Sequence, residues 1–376
     1  METLNIRCWS LHQITRIKWD EAESMVTFLS PVLGGVHTII KHCQNLQQLS
    51  ISNAFLLEAH MTAIVSLSHL HHLSIIACKT LPDTPLPTIP SNLQHLSLIL
   101  QEDMDMPSWR LLSVFPALRW LEICRDEDFQ NLETPDGIWD AANPFNKLER
   151  VSIVGLHLQE IDEVMTLIHS AAQSSGLKLT HFKVKAAYGL PYEMLLDLLG
   201  VLSTAPLEHL IIDGIQDAEC DVLDRIALLF PRLRTLSLSY RDSTRQFRDG
   251  FARWPRCTWE YAAHLAPMVH LEHFGWNLHV PHETHLPHAL PLFEGGFPAD
   301  SFDDVDVSLR ASAEKANIVK LFGSHCPSLK SLAFFAGKIP AYHYWIDRDP
   351  GGSLTVRPEP NLSSQLHHIE SWPMFS

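Results

Sequence analysis

The chain has 376 residues, 46% of them hydrophobic and 19% charged, with a formal net charge of −15. That composition excludes an intrinsically disordered chain, and the acidic balance argues against general binding to nucleic acid or to an acidic membrane. A single core stops growing at about 250–300 residues, so a chain of this length is either multidomain or an extended array.

In chain order, the first twenty residues carry strand patterns, Leu4-x-Ile6 and then Ile14 to Trp19, so the chain is expected to begin inside an array. Apolar residues at helical spacing follow from Met25 to Ile40, interrupted by Pro31. Then one phrase, Leu-x-x-Leu-x-Leu with any large apolar residue at its fixed positions, recurs. It starts at Ile14, Leu46, Leu70, Leu93, Leu118, Leu148, Leu179, Leu207, Leu233, Leu271 and Leu329. The two final apolar positions of the phrase alternate, as on a strand with one buried face. Between the phrases the spacing predicts a short helix near 55–66 and helical returns over 107–115, 159–174, 191–204, 216–230, 258–266 and 308–325. The four prolines of 79–92 predict an irregular return. Residues 241–256 hold five arginines and read as a solvated loop or short helix, and 278–308 as a loop insertion rich in His, Pro, Gly and Asp. Near the end, Tyr342–Ile346 and Ser353–Val356 flank Asp349-Pro350-Gly351-Gly352, a hairpin signature.

Eleven ordered repeats, most of them 23 to 32 residues apart, describe a solenoid. One repeat cannot bury its apolar face alone, but stacked neighbours share a continuous core. The expected fold is α/β: a right-handed leucine-rich-repeat solenoid, or horseshoe, with a parallel concave sheet and irregular helical or loop returns. About eleven irregular repeats would occupy 1–340. A C-terminal β-hairpin would cap the end over 341–376.

The seven cysteines are odd in number and contain no Cys-x-x-Cys, which suggests a reducing compartment. The N-terminus has no signal-peptide pattern, and no apolar run reaches the roughly 18 residues of a membrane span. The expected address is cytoplasm or nucleus.

The residue three before the first Leu is also patterned: Cys43, Leu67, Phe115, Phe145, Phe230, Met268 and Cys326. Cys43-x-x-Leu46-x-x-Leu49-x-Ile51 and Leu70-x-x-Leu73-x-Ile75-x-x-Cys78 resemble the cysteine-containing leucine-rich repeats of F-box proteins. Phe230-Pro231-Arg232-Leu233, Cys326-Pro327-Ser328-Leu329 and the Tyr344-Trp345 hairpin are similar to the degenerate repeats of the large fungal F-box-like families. The resemblance implies a protein-recognition module like the substrate-recognition part of F-box ubiquitin-ligase adaptors. In that family an F-box docks on Skp1 in a cullin ubiquitin ligase. This sequence departs there, because no Leu-Pro-x-Glu helical opening precedes the first repeat. The alternative is a regulatory repeat scaffold unrelated to ubiquitination, for example one acting on a GTPase.

Residues between the apolar strand positions would face the concave surface and contact a protein partner. One column there holds His72, His95, Trp120, His181, His209 and His273, and a second holds small residues such as Ser50, Ser74 and Ser97. Arg150, Lys183 and Lys185, joined by His181 and His209 and edged by Glu122 and Asp213, form a basic cluster on an acidic chain. It suits an acidic segment of a partner. His279-x-x-His282-x-x-His285-x-x-His288 is interrupted by prolines, which exclude a regular helix. In a polyproline II segment the four histidines would share one side, about 9 Å apart per turn, which is too open for a ready-made metal site. Arg125-Asp126-Glu127-Asp128 reads as a solvated loop. No Gly-x-Ser-x-Gly elbow or other catalytic set is present, and the sequence is read as non-enzymatic, with no cofactor.

Overall fold

The computed structural model describes residues 3–7, 45–52, 55–56, 58–76, 78–80, 92–100, 115–125, 143–174, 176–241, 252, 254–256, 258–278, 307–336 and 339–359. The chain divides into two compact units, Met1–Ala187 and Tyr188–Ser376.

In the first unit seven strands run parallel in the order β1 (Thr3–Arg7), β2 (Gln48–Ser52), β4 (His72–Ile76), β6 (His95–Leu100), β7 (Trp120–Arg125), β8 (Arg150–Leu156) and β9 (His181–Leu190), whose last three residues belong to the second unit. Two short strands, β3 (Phe55–Leu56) and β5 (Lys79–Thr80), pair separately. The register aligns every repeat residue for residue. Leu49, Leu73, Leu96, Leu121, Val151 and Phe182 form one row, and Ile51, Ile75, Leu98, Ile123, Ile153 and Val184 the other. All twelve are at most 4% exposed. Each contributes roughly 1.5–3 kcal/mol relative to exposure.

The patterned residue before each phrase has a defined job. Leu67, Phe115, Phe230, Met268 and Cys326 are buried, and each carbonyl accepts the backbone N–H of the first Leu three residues on. The resulting turn steers the chain into the strand. Helix α1 (Glu58–Val65) and helix α2 (Leu158–Ser174) are returns in this unit. Helix α2 buries Ile161, Val164, Met165, Ile168 and Ala171, a single face at helical spacing.

The second unit repeats the plan. Strands β10 (His209–Ile215), β11 (Thr235–Tyr240), β12 (His273–Trp276) and β13 (Ser331–Ala336) are parallel. Two antiparallel strands follow, β14 (Ile339–Arg348) and β15 (Leu354–Pro358). The returns are α3 (Tyr192–Leu202), α4 (Asp221–Leu229), α5 (Thr258–His264) and α6 (Val307–His325). Strand, return and in-register parallel strand, with a buried apolar row at every step, make this an α/β leucine-rich-repeat solenoid.

Several expectations change. The place beside β2 is held by β1, which puts Leu4 and Ile6 in the framework rows next to Leu49 and Ile51. Helix α4 begins at Asp221 rather than 216, because a turn precedes it in which Asp217 Oδ1 accepts the Glu219 N–H at 3.0 Å. Within 241–256, Ala252 and Trp254 are buried rather than solvated. Trp254 Nε1 donates to Asn277 Oδ1 at 3.1 Å, and the same oxygen accepts the Tyr240 N–H at 2.8 Å. The predicted elements at 14–43, 81–91 and 107–114 and the insertion from 279 to 306 lie outside the described residues.

The predicted hairpin is present, with Asp349 Oδ1 accepting the Ser353 N–H at 2.8 Å across its turn. Arg348 ties it to the preceding return. Its guanidinium donates to the carbonyls of Leu329, Gly323 and Cys326 at 2.6, 2.8 and 3.1 Å, closing the C-terminal end of α6. Arg348→Ala should therefore lower the unfolding free energy by about 1.5–3 kcal/mol. A urea titration in which the variant keeps the wild-type midpoint would show that water replaces the guanidinium at no cost.

Candidate partner-binding face

The face of the sheet opposite the framework rows differs between the two units. In the first unit the register joins His72, His95, Trp120, Arg150 and His181 in a single row. All five are half-buried. The side chains of the first four touch in sequence. The His72 and His95 rings lie 4.1 Å apart, and the His95 ring is stacked on Trp120 at 3.9 Å and 3°. The Arg150 guanidinium sits 5.2 Å from the centre of the Trp120 ring, where the ring's negative face attracts it. Cross-strand pairing thus converts residues 23 to 30 positions apart into one continuous stack.

The next row is Ser50, Ser74, Ser97, Glu122, Ser152 and Lys183. Glu122 Oε2 is 3.6 Å from His95 Nε2. Burial pushes the Glu122 carboxyl up, but the His95 hydrogen bond and charge, with help from Ser97 and Lys183, outweigh it and hold it below the usual range. The His72 imidazole is held low by burial and by its neighbour His95, against the pull of Glu122. Acidification therefore charges His72 against resistance.

The expected basic cluster takes a different form. Arg150 and His181 are half-exposed, but Lys183 and Lys185 are only 4% and 7% exposed. A third row runs beside the second. It holds Ile76, Ile99, Cys124 and Val154, all half-exposed. The signal was present in the sequence as an apolar residue directly after each buried framework position.

In the second unit the corresponding face is closed. His209, Thr235, His273 and Ser331 share a row, and Thr235 and Ser331 are 0% exposed. Ser237, Ala333, Phe335 and His343 are also buried. Phe335 lies across Gly275, where an added Cβ would be 2.4 Å from the ring, so only glycine fits there. Among the candidate residues of this unit, His209 is half-buried, and Asp213 faces Arg241 at 3.4 Å. The small residues Thr235, Ser237, Ser331 and Ala333 thus belong to strands buried on both faces.

His343 is the titratable group most affected by that closure. Burial holds its imidazole down, to about 4; the Glu359 carboxylate opposes this and His273 adds to it. A histidine depressed in the fold contributes stability above its ordinary value of 6.5, and that contribution is lost as the pH falls through the folded value. The urea midpoint should decline between pH 6.5 and 4, and H343Q should flatten part of that decline. Equal slopes for both proteins would show that His343 is protonated in the fold without penalty.

Among the described residues no helix is long and apolar enough to cross a membrane, and no group of three or more His, Cys, Asp or Glu is placed to hold a metal ion. The histidines from His279 to His288 and the acidic run after Arg125 lie outside the described residues. No protein-family model matches the chain, and no curated protein matches it. Among solved structures it is similar to an internalin from Listeria monocytogenes, at 15% identity and a TM-score of 0.36, covering 64% of each chain. The chain thus spans 64% of that internalin's length. That likeness adds nothing to the fold, which rests on the register of the strands.

Proposed function

We propose that this protein is a recognition module that holds a protein partner on the open face of its first unit. The observation that supports this most directly is the half-exposed row from His72 to His181, a stack of rings ending in a guanidinium and an imidazole. The equivalent face of β11–β13 offers no such access. Arg150 presents positive charge on a chain of net charge −15, which suits an acidic segment of the partner. The resemblance to F-box repeat proteins favours a substrate receptor of a ubiquitin ligase, and a regulatory scaffold is the second reading.

The test is affinity purification of the tagged chain from cells, as wild type and as the double variant Arg150→Glu, His181→Glu. Loss of the wild-type partner from the variant supports the reading, and an unchanged partner set overturns it. Depletion of Skp1 separates the two finer roles. A receptor loses its association with cullin, whereas a scaffold keeps its partners.

A further inference from the structure

The three rows on the open face of the first unit have an order, and that order shapes a groove. One wall is the stack His72, His95 and Trp120. The other is aliphatic, with Ile76, Ile99 and Val154 and, between the last two, Cys124. Between the walls the floor is low on β4 and β6, where Ser74 and Ser97 occupy the middle row, and rises at Glu122 on β7. These wall and floor residues are half-exposed. Toward β8 and β9 the middle row closes, with Ser152 6% and Lys183 4% exposed, while Arg150, Val154 and His181 remain half-exposed.

Neighbouring strands lie about 4.8 Å apart, so the three steps from β4 through β6 and β7 to β8 span about 14 Å. An extended chain rises about 3.3 Å per residue, and about four residues cover that distance. A backbone crossing over the serines would meet hydroxyl groups able to donate or accept. Its aliphatic side chains would pack on Ile76, Ile99 and Val154. A carboxylate on its last residue would meet Arg150, whose planar guanidinium suits bidentate contact and is already seated over Trp120. The β4 end of the face offers Gln48 and His72, and the Glu122 carboxylate on β7 lies against His95, so the cationic end of the groove is at β8.

We propose that this groove takes an extended peptide segment of a partner protein, about four residues long, aliphatic along one edge and acidic at the β8 end. The proposal rests on the reading that this face binds a partner, and it names the kind of segment recognised. Phage-displayed random nonapeptides selected against the full chain test it. Enriched peptides should share aliphatic residues followed by Asp or Glu. Their affinity should fall roughly tenfold or more both for Arg150→Glu and for Ser97→Tyr, which raises the floor. Ser74→Tyr supplies a second floor variant, and thermal unfolding shows that each variant is folded. Peptides that depend on Arg150 but bind both floor variants as wild type would overturn the groove and leave the face reading standing. Peptides indifferent to all three variants would overturn both, and a selection with no shared pattern would overturn the groove alone.

Discussion

Glu160→Ala should lower the unfolding free energy by about 3–5 kcal/mol, the usual cost of orphaning one member of a buried ion pair. Arg125 and Glu160 are 2% and 3% exposed, with Nη1 and Oε1 2.5 Å apart. The other carboxylate oxygen, Oε2, accepts the His157 N–H at 2.8 Å, closing the N-terminus of α2 as half of a capping box. One side chain therefore neutralises a cation at the end of β7 and satisfies a backbone donor at the start of the next return. Glu160→Gln keeps the shape and the acceptor but loses the charge, and should fall between wild type and alanine. The pair Arg125→Met with Glu160→Leu removes both charges and should cost less than either single change. Urea unfolding followed by circular dichroism measures all four proteins. Single variants within about 1 kcal/mol of wild type would mean that water reaches the guanidinium.

The second large effect is expected at Gly155, in the same corner. Its φ of +81° is a conformation that L side chains rarely adopt, and an added Cβ would stand 2.3 Å from the Arg125 carbonyl oxygen. The left-handed geometry costs an alanine about 1–2 kcal/mol. The clash is with backbone, so the end of β7 must move, carrying Arg125 away from Glu160. Gly155→Ala should cost about 3 kcal/mol or more, from strain together with the disturbed ion pair. Gly176 is the control. Its φ is +75°, but no atom lies within 4 Å of its added Cβ, so Gly176→Ala should cost only about 1–2 kcal/mol. Equal losses at the two glycines would show that β7 yields without penalty. Effects at Gly155 and Glu160 should also be non-additive, because both act through Arg125.

The framework of this protein was legible in its sequence because each repeat states it locally. Leu73 and Ile75 are buried where the alternation puts them, and Cys78 Sγ donates to the Ile51 carbonyl of the neighbouring repeat at 3.5 Å. What failed to show depends on distant residues. The pairing of Thr3–Arg7 with β2 joins segments more than forty residues apart. The Arg125–Glu160 pair joins residues 35 positions apart. Arg125 read as part of a solvated acidic loop because nothing adjacent to it announces burial. Thr235, Ser331 and Ala333 are short residues of the kind that line an open wall, yet they are buried. The closure follows from the Phe335 ring lying over Gly275, a contact that exists only once β12 and β13 are in register, with Gly275 paired to Ala333. At the candidate site the stack of His72, His95, Trp120 and Arg150 required the register that only the fold supplies.

Site-specific photo-crosslinking tests the central claim most directly. A crosslinking amino acid is placed at Ser97 on the open face of the first unit, at Asp162 on the outer side of α2, or at Leu228 on α4, which is 72% exposed. With the captured partner present, covalent adducts should form from position 97 and not from the other two. Adducts from position 162 or 228, with none from 97, would place the partner on the return side and contradict recognition through the sheet.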